Sequence, residues 1–187
     1  MRPADGISLS GGYTYLEADV NTIGTNCSLA QTAATIAPGT AEPFNSCFRF
    51  TTEAAAANRQ NIQNGRLPNA PRHRLNLTGR YDTQVGENLR AFVQSSVNLQ
   101  SDVIFSLDQD PVTAQDGYVT VDASVGLGSA DGRYTLTLFA KNLFNDSYAT
   151  SIFRDAFFAG AASPNNIDHY LPKESQRYVG ASLRVRL

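Results

Sequence analysis

The chain holds two imidazoles, His73 and His169, and two thiols, Cys27 and Cys47. No two-His helix and no Cys–His spacing links them, so no metal ligands are expected. Asp108, Asp110 and Asp116 cluster in sequence, but the Gly and Glu positions of a calcium loop are missing, and a solvated acidic loop is expected instead. A Ser with either His and an Asp would complete a hydrolase triad, yet no local nucleophile motif supports one. The expectation is a protein that is not an enzyme, with no catalytic residues and no cofactor. What remains suits non-covalent capture. Phe48, Arg49 and Phe50 stand together, and Phe153, Arg154, Phe157, Phe158, His169 and Tyr170 crowd a second segment. Aromatic residues and Arg are frequent anchors in binding sites. The alternative is that the same side chains only pack one loop against another.

Both groups lie in long connections between six stretches that alternate apolar and polar residues with period two, as a strand with two different faces does. The stretches are 6–20, 73–82, 88–100, 118–128, 134–142 and 177–187. In the second, Leu75, Leu77, Gly79 and Tyr81 share one face, and Arg74, Asn76, Thr78, Arg80 and Asp82 the other. In the fourth, Val119, Val121, Ala123, Val125 and Leu127 oppose Thr120, Asp122, Ser124 and Gly126. Phe92 and Ser95 break the pattern of the third. Pro is absent from all six cores, while β-branched and aromatic residues are frequent. The connections over 83–87 and 129–133 are short, and the second contains Asp131-Gly132, a tight-turn signal. Those over about 21–72, 101–117 and 143–176 are long.

Long, short, long, short, long is the loop rhythm of an outer-membrane barrel, with short periplasmic turns and long extracellular loops. Strands of about 9–11 residues also match a tilted bilayer span. The polar face carries Arg74, Arg80, Arg90, Lys141, Arg184 and Arg186 against Asp82 and Asp122. Such a face suits a wet lumen. Its excess of cations would either guide an anionic ligand or pair with acids nearby. Tyr13, Tyr15, Tyr81, Tyr118, Tyr134 and Tyr148 stand near strand ends, where interfacial girdles lie. The expected fold class is all-β, with about six antiparallel meander strands forming part of a transmembrane β-barrel wall. A soluble β-barrel that binds a small ligand would show the same alternation, with its apolar face as core. A small structural outer-membrane barrel is the other alternative.

Composition narrows the field further. Of 187 residues, 53 are Ser, Thr, Asn or Gln, and only 17% are charged. A net charge of −2 leaves no basic footprint, so no nucleic acid partner is expected. Ten per cent aromatics with near-neutral charge argue against wholesale disorder. No run approaches the 18 or so apolar residues of a transmembrane helix.

The motifs agree with the barrel reading. Residues 134–148 read YTLTLFAKNLFNDSY, which resembles the penultimate strand of TonB-dependent outer-membrane receptors and the Asn-rich ending that follows it. Residues 118–131 (YVTVDASVGLGSAD), 65–80 (GRLPNAPRHRLNLTGR) and 5–18 (DGISLSGGYTYLEA) resemble other strands of the same receptors. Residues 178–187 (YVGASLRVRL) resemble their C-terminal assembly signal, though that signal usually ends in an aromatic and here the chain ends in Leu187.

The resemblance implies a place in the Gram-negative cell outer membrane and TonB-dependent uptake of a scarce solute, with a ferric siderophore as the leading expectation. It implies as partners the outer-membrane lipid, the TonB complex and the barrel-assembly machinery. Receptors of this kind have barrels of about 22 strands with a plugged lumen. The 187 residues are therefore expected to be one C-terminal barrel segment, a fragment without plug domain or earlier strands that is not competent alone. An exported loop is in an oxidising compartment, so Cys27 and Cys47 are expected to form a disulfide across the first long loop.

Overall fold

The computed structural model describes residues 4–51, 58–155 and 166–186. Strand β1 (Ile7–Tyr15) leads into a first loop that carries β2 (Asp19–Asn26), β3 (Ala34–Ile36), β4 (Cys47–Phe50) and β5 (Arg59–Arg66). β6 (His73–Val85) and β7 (Leu89–Gln100) follow as a hairpin. The second loop holds β8 (Val103–Ile104) and β9 (Ala114–Gln115). β10 (Tyr118–Ser129) and β11 (Tyr134–Lys141) form the next hairpin. The third loop holds β12 (Ser151–Arg154) and β13 (Ile167–Tyr170), and β14 (Tyr178–Val185) closes the order.

The six long strands make one sheet in the order β1-β6-β7-β10-β11-β14, an antiparallel meander. Its edges, β1 and β14, do not pair with each other, so the barrel is open. The alternation read from sequence sets which way each side chain points. Leu77, Val125, Leu136 and Leu138 stay 48%, 50%, 48% and 52% exposed on one face. A soluble sandwich or barrel would bury that face as its core. Among the described residues no protein layer covers it, as befits the outer face of a membrane barrel wall. Arg74, Asn76, Thr78 and Arg80 of β6 take the opposite face, as do Asp122 of β10 and Lys141 of β11.

The turns fall at one end. Gly86, at φ 66°, lets three residues join β6 to β7. Between β10 and β11, Ser129 Oγ donates to Asp131 Oδ1 at 2.6 Å, and the Arg133 N–H donates to the same oxygen at 3.1 Å. These bonds pull the Asp131 carboxyl below its ordinary value, the Ser129 hydroxyl having the largest effect and the Arg133 N–H the next.

Three details differ from the sequence reading, and one explains a break in its pattern. The stretch 6–20 is not one strand: it breaks after Tyr15, Leu16 N donates to Arg72 O at 2.9 Å, and Asp19 begins a strand of another sheet. The long loops are structured, including a four-stranded sheet (β2-β5-β4-β3) whose β3 and β4 run parallel. Phe139 lies on the polar face, as the alternation implies, and Phe92, which breaks the pattern, lies there too. Each ring covers a glycine on the neighbouring strand, Gly126 and Gly180, where no Cβ would fit. The Arg80 guanidinium lies 3.8 Å above the Phe92 ring. Finally, Tyr118 and Tyr148 do not join an outer girdle. Tyr118 shares the inner face with Thr120, and the two rings stack at 4.0 Å.

Candidate functional site

All three long loops gather at the end opposite the turns, and the hydrophobic core is there rather than under the sheet. Phe48 of β4, Ile62 of β5, Val103 and Ile104 of β8 and Ile152 of β12 are all buried. Cys27 and Cys47 form a disulfide, with Cα atoms 5.6 Å apart, that ties the end of β2 to β4. The loops are then joined to one another by side chains. Gln60 Nε2 in the first loop donates to Asp108 O in the second at 2.9 Å. Gln109 and Arg66 exchange two bonds of 2.9 Å. Arg66 also forms an ion pair with Asp102 at 2.8 Å.

The second and third loops meet at a buried ion pair. Asp110 is 1% exposed and the Arg154 side chain 13% exposed, and Arg154 Nε donates to Asp110 Oδ2 at 2.5 Å. The other carboxylate oxygen accepts the Val112 N–H and caps the 3₁₀ turn Pro111–Thr113. The sequence reading assigned Asp110 to a solvated acidic loop. Burial against β12 makes it instead the residue that holds two loops together. Among the described residues no group of three or more His, Cys, Asp or Glu side chains stands close enough to share a metal ion.

The residues picked for ligand capture divide. Phe48 is fully buried, meets Phe50 edge-on at 5.7 Å, and packs the first loop. Arg154 is held by Asp110. Neither offers a free face to a solute. Arg49 is exposed, and its Nε donates to Thr35 Oγ1 at 3.2 Å. Phe153 and Tyr170 stack at 5.5 Å across the β12–β13 hairpin. Both rings are exposed, as is His169 on the same hairpin. Phe157 and Phe158 lie outside the described residues.

The segment after β11 explains its own motif. Lys141 Nζ reaches Asp122 Oδ2 at 2.6 Å. Buried Asn142, at φ 47°, donates to Asp146 O and Glu174 O and accepts the Asp146 N–H. Asp146 Oδ2 accepts the Val119 N–H, and Asn145 Oδ1 accepts the Arg177 N–H. The KNLFNDSY run is thus a junction that sets where β10, β11 and β14 leave the wall. Tyr148 closes it, its phenol pushed above the ordinary value first by burial and then by the nearby Glu174. Resemblance had marked this run as a motif without showing that its polar groups serve the backbone.

On the inner face, Arg80 grips Asp82 with two bonds of 2.8 and 2.7 Å, and Lys141 takes Asp122. Both acids of that face are therefore matched. Arg90, Arg184 and Arg186 make no ion pair among the described residues.

A meander sheet with an apolar outside, a polar inside, tight turns at one end and a packed loop layer at the other defines a segment of a transmembrane β-barrel wall. Residues 4–143 match the family model described as TonB dependent receptor-like, beta-barrel. The chain belongs to that family. Comparison with curated proteins returns no match, and comparison with solved structures returns none. β14 lies beyond the matched stretch but continues the wall in register with β11.

Proposed function

We propose that this chain is part of an outer-membrane receptor that takes up a scarce solute in a TonB-dependent way, with a ferric siderophore as the cargo class. The observation that supports it most is the pairing of the family match with the uncovered apolar face of the six-stranded sheet. In this reading the segment supplies wall, loop surface and the last strand for the assembly machinery. The missing strands and plug domain come from the rest of the receptor, so the segment does not transport alone. Arg90, Arg184 and Arg186 face the lumen, where acids of a plug would meet them. Exposed Phe153, His169, Tyr170 and Arg49 offer the solute a surface of aromatic and cationic groups.

The test is uptake of radiolabelled ferric chelates by cells that produce the full-length receptor, with and without a functional TonB complex. Accumulation that needs both supports the reading. Uptake that ignores TonB, or a receptor that fractionates away from the outer membrane, overturns it.

A further inference from the structure

The first and second loops line an open hollow of about 310 Å³, near the lower end of the range for small-ligand sites. Its lining is dominated by carboxamides. Gln31, Gln60 and Gln109 form one part, and Asn45, Gln63 and Asn64 another. Its one cation, Arg66, is neutralised by Asp102. The hollow therefore carries polar groups without net charge, which favours neither an anion nor a cation.

The carboxamides fall into two sets. Gln60 is saturated: its nitrogen donates to Asn26 O and Asp108 O, and its oxygen accepts from Gln31. Gln109 is spent on both backbone groups of Arg66. Asn45 bridges the two backbone groups of Gln63. These side chains build the walls. The side chains of Gln63 and Asn64 are exposed and make no hydrogen bond among the described residues. Each offers two donors and an acceptor to whatever enters.

The backbone of the hollow is strained at three places. Asn45, Asn64 and Gln109 have φ values of 56°, 54° and 56°. Left-handed non-Gly residues are uncommon and gather where a site holds something in place. Gly65 lines the same hollow with its bare Cα, because a Cβ there would strike Ile62. The disulfide and the Gln60 and Gln109 bonds fix these positions before any ligand arrives.

We propose that this hollow binds a neutral, hydroxyl-rich group, such as a sugar ring. Paired donors and acceptors without net charge match hydroxyls, which both donate and accept. The inference rests on the uptake reading and deepens it by naming the chemistry of the face recognised in these loops. That group belongs either to a free carbohydrate or to the hydroxylated part of a larger chelate.

The experiment titrates the full-length receptor that contains this chain, ¹⁵N-labelled at its Gln and Asn side chains and held in detergent micelles, with neutral gluco-, manno-, galacto- and xylo-oligosaccharides. Further arms use an oligogalacturonate and a ferric catecholate with and without glucosyl groups. The expected result is saturable movement of the Gln63 and Asn64 side-chain amide signals with a neutral sugar or with the glucosylated chelate. Gln63→Ala and Asn64→Gly should each weaken that binding about three- to tenfold, the worth of a neutral hydrogen bond. Neither removes a bond the loops use, and Gly suits the left-handed position, so the other labelled amide signals should hold. Sugar binding with the glucosylated chelate inactive assigns the site to free carbohydrate; the reverse assigns it to the chelate. No saturable movement with any neutral ligand, preference for the anionic one, or binding unchanged in both variants overturns the inference. A chelate bound elsewhere on the loops with these amides unmoved overturns it too, and leaves the uptake reading intact. Loss of TonB-dependent import with sugar still bound would overturn the uptake reading alone.

Discussion

The Asp110–Arg154 pair provides a severe test of the loop layer. Asp110→Asn removes the charge and keeps an oxygen to accept the Val112 N–H, so the cap survives and the ion pair does not. The cost comes from the partner left behind. Arg154 is nearly buried, and its Nη1 already lacks a partner among the described residues. Removing one member of such a pair strands an uncompensated charge and costs about 3–5 kcal/mol. The loss should fall on the second and third loops rather than on the wall, because the pair joins only those two. Amide exchange followed by mass spectrometry reads it directly, since exchange tracks local opening. A cost of about 3 kcal/mol raises the exchange of Thr113 and its neighbours more than about a hundredfold, with β6 and β7 unchanged. Arg154→Met should be similarly costly because it strands Asp110. The double variant should be much milder than either alone, since replacing both partners leaves no buried charge. Less than fivefold change in the single variants, or a double variant that costs the sum of both, would refute the reasoning.

Three other perturbations address other parts of the molecule. Reducing Cys27–Cys47, which closes a separation of 20 residues, should destabilise the first loop by about 3 kcal/mol in the chain-entropy model; limited proteolysis with and without reductant would show it, and equal cleavage would count against it. Leu138→Arg sits mid-strand on the outer face and should cost about 2–4 kcal/mol in lipid, whereas Thr137→Arg on the inner face should cost little; urea titration in vesicles distinguishes them, and equal costs would reverse the assignment of faces. Asp131 is held low by the Ser129 hydroxyl and the Arg133 N–H. A depressed carboxyl stabilises its turn above the unfolded value and loses that effect as pH falls through the lower folded one. A carbon-13 titration should therefore place its midpoint below that of an unfolded Asp, and Ser129→Ala should move it up.

The wall was legible because a period of two is a long, redundant signal. Five of the six alternating stretches became single strands in register, although β6 runs on to Val85, three residues past the expected end at Asp82, before its turn. The loop strands carried no such signal. β5 reads RQNIQNGR, a run of amides that looks like solvated loop. It is a strand because β2 and β4 pair with it on either side and because its Gln60 is buried among carbonyls. Those partners lie far away in sequence, so local pattern cannot reveal them. The same limit explains Phe48 and Arg154. Residue type marked both as anchors, and both are, but for this chain's own loops: Phe48 packs the first loop, and Arg154 ties the third loop to the second. Gln63 and Asn64 carried no signal at all, because amides in a polar loop look alike until their neighbours are known to be spent.

The division of labour between wall and loops follows from where apolar surface can be hidden. The six strands bury little of their apolar face within the protein, so their order depends on backbone ladders and on lipid. The loops have no lipid to lie against, and they hold the buried core: a disulfide, Phe48, Ile62, Ile152 and a ring of satisfied amides. A loop layer built in this way is ordered by its own buried contacts and by its bonds to the wall. That matters for capture, because a loop already ordered has less conformational entropy to lose when a solute binds. The wall needs one face that tolerates hydrocarbon and one that tolerates water, and alternation supplies both. The loops need a fixed surface, and for that the chain uses long-range contacts that alternation cannot encode.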